Sequence, residues 1–486
     1  MNKPLRRIAI FCGILILALL VRTNYLQYVR ADELNTRDEN RRVRIERYAH
    51  ERGNIIVDGG KAVTGSKETK DSDFKYKRVW EDGPLWAPVT GYSSQAFGAT
   101  QLESIEDGIL TGNDDQLFFD RTMSMFTGEK KQGGNIVTTL NSDAQKAAFE
   151  GLGDKKGAVA ALDPETGAIL ALASTPSYDP STFAGNSNAD TKAWQKLGKD
   201  KDKPMLNRAL RETYPPGSTF KVVTAAAALE NGLYDDIDGK TDSPLPYQLP
   251  QSTQPLPNEN NIPCENVSLR EALRMSCNTV FGKISDDLGN QKMIDEADKF
   301  GFNKEVFTPV RASASVYPKD NRPQNVMAGI GQASNRATPL QMAMVASAVA
   351  NDGKLMQPYM VAKRQSPGLD DIYTHEKEQL SQPLSGENAQ KLQKMMETVV
   401  ESGTGKSAKI PNVTVGGKTG TAQHGLGNSE NPYAWFISYA KTDGGSPVAV
   451  AVVVEDSNAN RDDISGGGLA APIAKKVMQA VIDGKK

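Results

Sequence analysis

The sequence predicts an α+β protein in which one antiparallel sheet is flanked by helices, behind a small β-rich N-terminal module and an N-terminal membrane anchor helix. Three observations carry this. Strand-like apolar runs fall into two groups far apart in the chain, at 157–175 and 413–456. The stretch between them is mainly helical in pattern. Basic residues followed by an apolar run open the chain. Strands at both ends of a region, with helices between, pack as one sheet covered by helices.

The opening segment sets the compartment. Lys3, Arg6 and Arg7 precede an apolar run from Ile8 to Val21, and Arg22 follows it. Fourteen residues at helical rise span about 21 Å, short of a roughly 30 Å hydrocarbon core. A cleaved signal peptide fits that length, but no A-x-A site follows. An uncleaved anchor fits if the helix runs to about Tyr28, with Arg22 snorkelling and Tyr25 and Tyr28 at the far interface. The anchor is the reading adopted, with the N-terminus cytoplasmic and everything beyond about residue 29 outside.

Residues 29–132 are polar and charged, with short β-like runs, "GNIIVDG" and "KAVTGS". "GATQLESIEDGILTG" (98–112) predicts a short helix with Leu102, Ile105 and Ile109 on one face, closed by Gly112. "TGEKKQGGN" (127–135) reads as a linker. The predicted organisation is thus anchor 1–28, module 29–132 and main domain 133–486.

In the main domain, "GAVAALDPETGAILALAST" holds two apolar runs around a turn, the pattern of a hairpin. "VTVGGKTGTA" (413–422), "YAWFISYAK" (433–441) and "PVAVAVVVED" (447–456) read as three more strands, and Ala470–Ile482 as a closing helix. "STFKVVTAAAALENG" (218–232) and "NAQKLQKMMETVVESGTG" (388–405) read as helices. Residues 235–263, rich in Pro, Gln and Asn, read as a solvent-exposed excursion.

Composition removes several function classes. Lys and Arg number 57 against 59 Asp and Glu, a net charge of −2, so nothing drives binding to a phosphate backbone and no nucleic-acid partner is expected. The three His (His50, His375, His424) and three Cys (Cys12, Cys264, Cys277) do not fall at zinc-ligand spacing, so no metal is expected. Cys12 lies in the anchor; Cys264 and Cys277 lie outside, where disulfides persist. A bridge between those two is expected, with two free thiols as the alternative.

Three short motifs carry chemistry. Ser218 and Lys221 lie three apart at a helix start, behind Pro215-Pro216-Gly217, so hydroxyl and ammonium share a face. A serine hydroxyl needs a base to become a nucleophile. Lys221 can be that base only if burial or a neighbouring cation keeps it neutral. The same spacing occurs at Ser72–Lys75, in a charged loop, and at Ser438–Lys441, on a strand; there a capping serine beside an exposed lysine suffices. Ser276-Cys277-Asn278 lies between Leu273 and Val280 and could be a plain helix break, while Ser429–Asn431 repeats the pattern in a glycine-rich loop. Lys418-Thr419-Gly420-Thr421 falls on a strand, where Gly420 lets a substrate backbone approach and the hydroxyls and ammonium form an anion-binding edge; alone it would be a basic turn on an edge strand. Helix start, helix break and strand, in that order, are the arrangement of β-lactamases and penicillin-binding proteins.

The chain resembles the class B, monofunctional penicillin-binding proteins, and within them the actinobacterial A type. The resemblance rests on the anchor, "RGNIIVDG" (52–59), "GATQLE" (98–103), "NRALRETYPPGSTFK" (207–221), "SCN" (276–278), "GIGQ" (329–332), "GKTGTA" (417–422) and "AWF" (434–436). It implies the penicillin-recognising serine transpeptidase fold with a five-stranded antiparallel sheet, and a pedestal or dimerisation-like role for residues 29–132. It implies a D,D-transpeptidase in which Ser218 attacks a stem peptide ending in D-alanyl-D-alanine and Lys221 takes its proton. Ser276 would relay a proton to the leaving amine, and Asn278 would bind Lys221 or the substrate amide. Lys418 would add positive potential, Thr419, Gly420 and Thr421 would bind the substrate, and the N–H groups of Ser218 and Thr421 would form an oxyanion hole. No cofactor is implied. The implied partners are peptidoglycan stem peptides, β-lactams, the membrane, and division or elongation proteins such as a SEDS-type glycosyltransferase. Three rivals stand beside this: a Ser–His hydrolase using His424, a D,D-carboxypeptidase or β-lactamase with the same site, and a non-hydrolysing β-lactam sensor or scaffold.

Overall fold

The computed structural model describes residues 3–35, 40–70, 73–128, 130–423, 429–456, 461 and 464–485. Helix α1 (Lys3–Asn24) continues through a π-helical turn, Tyr25–Val29, and no residue in either is buried. Its 27 residues span about 40 Å at helical rise, enough to cross a roughly 30 Å hydrocarbon core. The extra turn supplies the length that the fourteen-residue run lacks, which is what a single-pass anchor requires.

In the module, Thr64–Glu68 pairs antiparallel with Tyr76–Trp80. The helix predicted over 98–112 is instead two, Gln101–Ile105 and Asp107–Thr111, closed by Gly112 at φ 72°. Leu102 and Ile109 are buried but Ile105 is 47% exposed. The break falls at Glu106, whose buried carboxylate pairs with the Arg364 guanidinium at 2.8 and 3.0 Å. A long-range ion pair therefore overrides the local helical period. Next to it, buried Glu103 accepts from Arg52 and from Arg78, each at 2.6 Å, and Arg52 also reaches Asp107 at 2.6 Å.

The main domain is assembled in chain order from α2 (Ser142–Leu152), β1 (Lys156–Leu162), β2 (Ile169–Thr175), α3 (Lys221–Glu230), α4 (Leu269–Met275), α5 (Asn278–Lys299) and α6 (Pro339–Ala350). Then follow α7 (Gly386–Glu401), β3 (Thr414–Ala422), β4 (Tyr433–Thr442), β5 (Gly445–Asp456) and α8 (Ala471–Gly484). The five strands form one antiparallel sheet in the order β3-β4-β5-β1-β2. Alternate residues face opposite layers. Ala158, Ala160, Ile437, Ala449, Ala451 and Val453 share a core with α3, α6 and α7. Val159, Ala161, Phe436, Val450, Val452 and Val454 pack with α2 and α8. Both faces are covered, which is why β5 reads as a continuous apolar run rather than an alternating one.

Two devices tie the module to the main domain. Ile55–Ile56 runs parallel to Asn135–Thr138, which pairs antiparallel with Val361–Gln365, itself joined to Asp371–Thr374. The buried Gln145 amide donates to the carbonyls of Leu85 and Leu172, each at 3.0 Å, and accepts from the Leu172 N–H at 2.7 Å.

Residues 235–263 are mostly exposed, as their composition predicts, but the excursion is fastened to the domain. Tyr247 and Leu256 are buried, and the Tyr247 hydroxyl donates to Asp286 on α5 at 2.7 Å. The segment is held by a few polar contacts and three apolar side chains, Ile237, Tyr247 and Leu256, too sparse for any periodic signal.

Glu103 is the charge that neutralises two buried guanidiniums. Replacing it, Glu103→Gln, should lower unfolding free energy by about 3–5 kcal/mol, read as a shifted urea midpoint of the full chain in detergent. An unchanged midpoint would show that the cluster is not needed for the fold.

Candidate active site

The segment Pro215-Pro216 leads into a 3₁₀ turn, Gly217–Phe220, that runs directly into α3. Prolines preset the backbone ahead of the turn, and Ser218 sits in its first residues, half-buried. The turn is clamped from three directions. The Trp435 indole of β4 donates to the Pro215 carbonyl at 3.0 Å. The Gly217 N–H donates to the Gly331 carbonyl at 2.9 Å, and the Thr224 hydroxyl donates to the Gly329 carbonyl at 2.6 Å. At Gly331, φ is 77°, and a Cβ there would lie 2.0 Å from the Gly217 carbonyl oxygen, so only glycine lets 329–332 support the turn.

Lys221 is three residues beyond Ser218 and fully buried. Its Nζ donates to the Ser276 carbonyl and to Asn278 Oδ1, both at 2.7 Å, and lies 3.2 Å from Ser276 Oγ. Burial, and then the nearby charge of Lys418, push Lys221 well below its ordinary value, with Glu259 opposing the shift. A neutral amine has two N–H bonds and one lone pair. The two short contacts use both N–H groups, which leaves the lone pair to accept a proton.

Lys418 reaches the same hydroxyl from the opposite side. Its Nζ lies 2.9 Å from Ser276 Oγ and donates to the Thr419 carbonyl at 2.8 Å. Burial pushes Lys418 down to about 7, and Glu259 opposes this too. Its ammonium is therefore beneath Ser276 rather than on an exposed edge. Among the described residues no carboxylate forms an ion pair with either lysine.

Ser276 bridges the two nitrogens because of its backbone. It caps α4 with φ 63° and ψ 43°, left-handed values rare for a residue with a side chain, and Cys277 then starts α5. The SCN motif is thus a helix break and also the centre of a cluster. The sulfurs of Cys264 and Cys277 are bonded, with Cα atoms 6.0 Å apart. Asn278 Nδ2 donates to the Pro257 carbonyl at 2.9 Å. The segment expected to be exposed therefore lines the site.

The Ser218 turn lies against β3. A Cβ at Gly420 would be 3.0 Å from Thr219 Cγ2 and 3.1 Å from the Pro216 carbonyl oxygen. The serine's own turn thus fills the space that a side chain at 420 would take. Thr419 is buried and shares a hydrogen bond of 2.5 Å with the Thr404 hydroxyl, while Thr421 is half-buried. Thr404 and the Pro257–Glu259 turn escaped sequence reasoning because neither belongs to a spaced motif.

Among the described residues the competing matches form no cluster like that around Ser276. Ser438 and Lys441 lie an odd number apart on β4 and so face opposite sides; Ser438 is buried against Met478. Ser429 and Asn431 are exposed. Ser72 and His424 lie outside the described residues.

Comparison with known proteins gives the same picture. A penicillin binding protein transpeptidase domain matches residues 157–479, and a penicillin binding protein A dimerisation domain matches 52–136. Over the full length of both chains, the sequence is 40% identical to a peptidoglycan D,D-transpeptidase PbpA of Mycobacterium tuberculosis. It is 28% identical to a peptidoglycan D,D-transpeptidase MrdA of Acinetobacter baumannii, over 85% of this chain and 69% of that one. The fold is similar to that of penicillin-binding protein A from M. tuberculosis in a ceftriaxone acyl-enzyme complex, with a TM-score of 0.85 and 39% identity, covering 90% of this chain and 100% of that one.

The depressed Lys418 has a stability signature. Between pH 7 and about 10.4 the unfolded lysine holds a proton that the folded one has released, so its contribution to stability rises with pH across that window. Lys418→Met should therefore be more stable than the parent at pH 7, by about 1–3 kcal/mol. The gap should close as pH approaches 10 in urea titrations, and parallel pH profiles for the two proteins would rule the linkage out.

Proposed function

Since the chain belongs to the penicillin-binding protein transpeptidase family, we propose that it is a peptidoglycan D,D-transpeptidase working through an acyl-enzyme on Ser218. The observation that carries this is the Lys221–Ser276–Lys418 hydrogen-bond cluster beside the Ser218 turn. The Lys221 lone pair takes the Ser218 proton as Oγ attacks the penultimate D-alanine carbonyl. The first-turn N–H of Ser218, with the N–H of Thr421, holds the oxyanion. Lys418, Thr419 and Thr421 hold the terminal carboxylate, with Gly420 keeping strand and turn in contact. The proton passes from Lys221 through Ser276 Oγ to the leaving nitrogen, and D-alanine departs. Asn278 fixes Lys221 throughout. An amine from a neighbouring stem then attacks the ester, forming the cross-link. A β-lactam presents the same carboxylate and a strained amide, acylates Ser218 and leaves slowly.

The basic residues at the start of α1 support a cytoplasmic N-terminus and an extracytoplasmic catalytic domain, the side on which a Cys264–Cys277 bridge persists. Residues 29–132 serve as the pedestal of domain 133–486 and as its surface toward division or elongation proteins such as a SEDS-type glycosyltransferase, a role supported by the resemblance of the module's motifs.

Fluorescent penicillin should label the full chain covalently, and Ser218→Ala should abolish the label. Lys221→Ala should lower the acylation rate by about 10²–10⁴-fold with the fold intact by circular dichroism. Labelling that survives Ser218→Ala would mean another nucleophile. Hydrolysis of the donor with no transfer to any added amine would make the enzyme a carboxypeptidase instead.

A further inference from the structure

We infer that Glu259 recognises the ammonium of the acceptor strand and so favours transfer to an amine over loss to water. The inference rests on the transpeptidase reading above.

The position of Glu259 is set by contacts to the site. Pro257 accepts from Asn278 Nδ2, as described. The Asn258 side chain then clamps Thr279: Oδ1 accepts from the Thr279 N–H at 3.0 Å and Nδ2 donates to its hydroxyl at 3.2 Å. Nδ2 also lies 3.2 Å from the Ile262 carbonyl, closing the turn Glu259–Asn261 on itself. Cys264 fixes the far end of the segment covalently to Cys277. Glu259 therefore projects from a short loop tied at both ends to the start of α5, the element that also carries Asn278.

Its carboxylate is unclaimed. The side chain is exposed, and among the described residues it forms no hydrogen bond or ion pair. Its negative charge nevertheless acts on both Lys221 and Lys418, and it is the acidic group that opposes the depression of each. Its turn lies two hydrogen bonds from the Lys221 nitrogen, through the Asn278 side chain and the Pro257 carbonyl, which puts the exposed carboxylate at the edge of the cluster.

The reaction needs a group of this kind. An alkyl amine arrives at neutral pH as an ammonium, since its ordinary pKa is about 10.4. Whatever positive charge the two buried lysines retain makes the site unfavourable to a further cation. A free carboxylate at the entrance offsets that field and holds the ammonium by charge-assisted hydrogen bonds. The ammonium then releases one proton to solvent. Its nitrogen forms a bond to the acyl carbon, the bond from that carbon to Ser218 Oγ breaks, and the second proton passes through Lys221 to the Ser218 oxygen. Water, being neutral, gains nothing from Glu259.

The test uses the full chain in detergent, acylated by an N-acyl-D-alanine thioester, with lysine amide as the cationic acceptor and hydroxylamine as an uncharged one. Glu259→Gln should lower the ratio of transfer to hydrolysis with lysine amide about tenfold, through a higher KM for the amine. The ratio with hydroxylamine and the rate of acylation by penicillin should each change less than threefold, and Glu259→Asp should keep most of the lysine amide ratio. An unchanged ratio for Glu259→Gln would overturn the assignment. So would an equal loss with hydroxylamine, or a collapse of penicillin acylation, since either would make Glu259 act through the lysines. A parent that takes up neither penicillin nor thioester would overturn the transpeptidase reading and this inference with it.

Discussion

Two lysine nitrogens converge on one serine hydroxyl in the interior of this protein, and everything near the site is arranged around that fact. Burying two amines without a carboxylate between them is unfavourable if both are charged, because desolvation and mutual repulsion add. The structure meets this by giving the nitrogens carbonyl and hydroxyl oxygens, with an amide oxygen for Lys221, while burial pushes both lysines down. A lysine pushed down in this way gives up its proton more readily than the same lysine on the surface. Each of the three strands of backbone that meet here, the start of α3, the break between α4 and α5, and β3, contributes one participant.

Much of the site was legible in the sequence because its participants sit at features with local signatures. Pro215-Pro216-Gly217 before an apolar run marks where a helix must start, and a serine and lysine one turn apart must then share a face. Glycines around Lys418 mark a strand that something approaches closely. One close neighbour was not foreseen: Gly420 also accommodates the turn of Ser218 itself. The five strands were readable for a related reason, since apolar runs bounded by turns are local facts. What the sequence concealed depends on partners distant in the chain. Glu106 breaks a helix because Arg364 draws it inward, and residues 235–263 look like a loose loop although Asn258 and Tyr247 fasten them to α5. Thr404 meets Thr419 only after folding.

The module and the catalytic domain are less separable than composition implies. A strand from each belongs to one small sheet, the Glu106–Arg364 pair crosses between them, and the Gln145 amide links the Leu85 carbonyl to β2. Buried polar contacts of this kind are intolerant of half-measures, because losing one partner strands the other without water. Motion of the module relative to the sheet therefore has to break several satisfied groups together.

The left-handed backbone of Ser276 has a consequence for anyone altering this enzyme. Holding a side chain in that conformation costs about 1–2 kcal/mol, and glycine would relieve it, but glycine has no oxygen for the two nitrogens to share. A position that invites thermal improvement is thus one whose oxygen the proposed relay needs. A screen rewarding heat tolerance alone would drift toward a sturdier protein with an inert pocket, so robustness here is better sought far from the junction of α4 and α5.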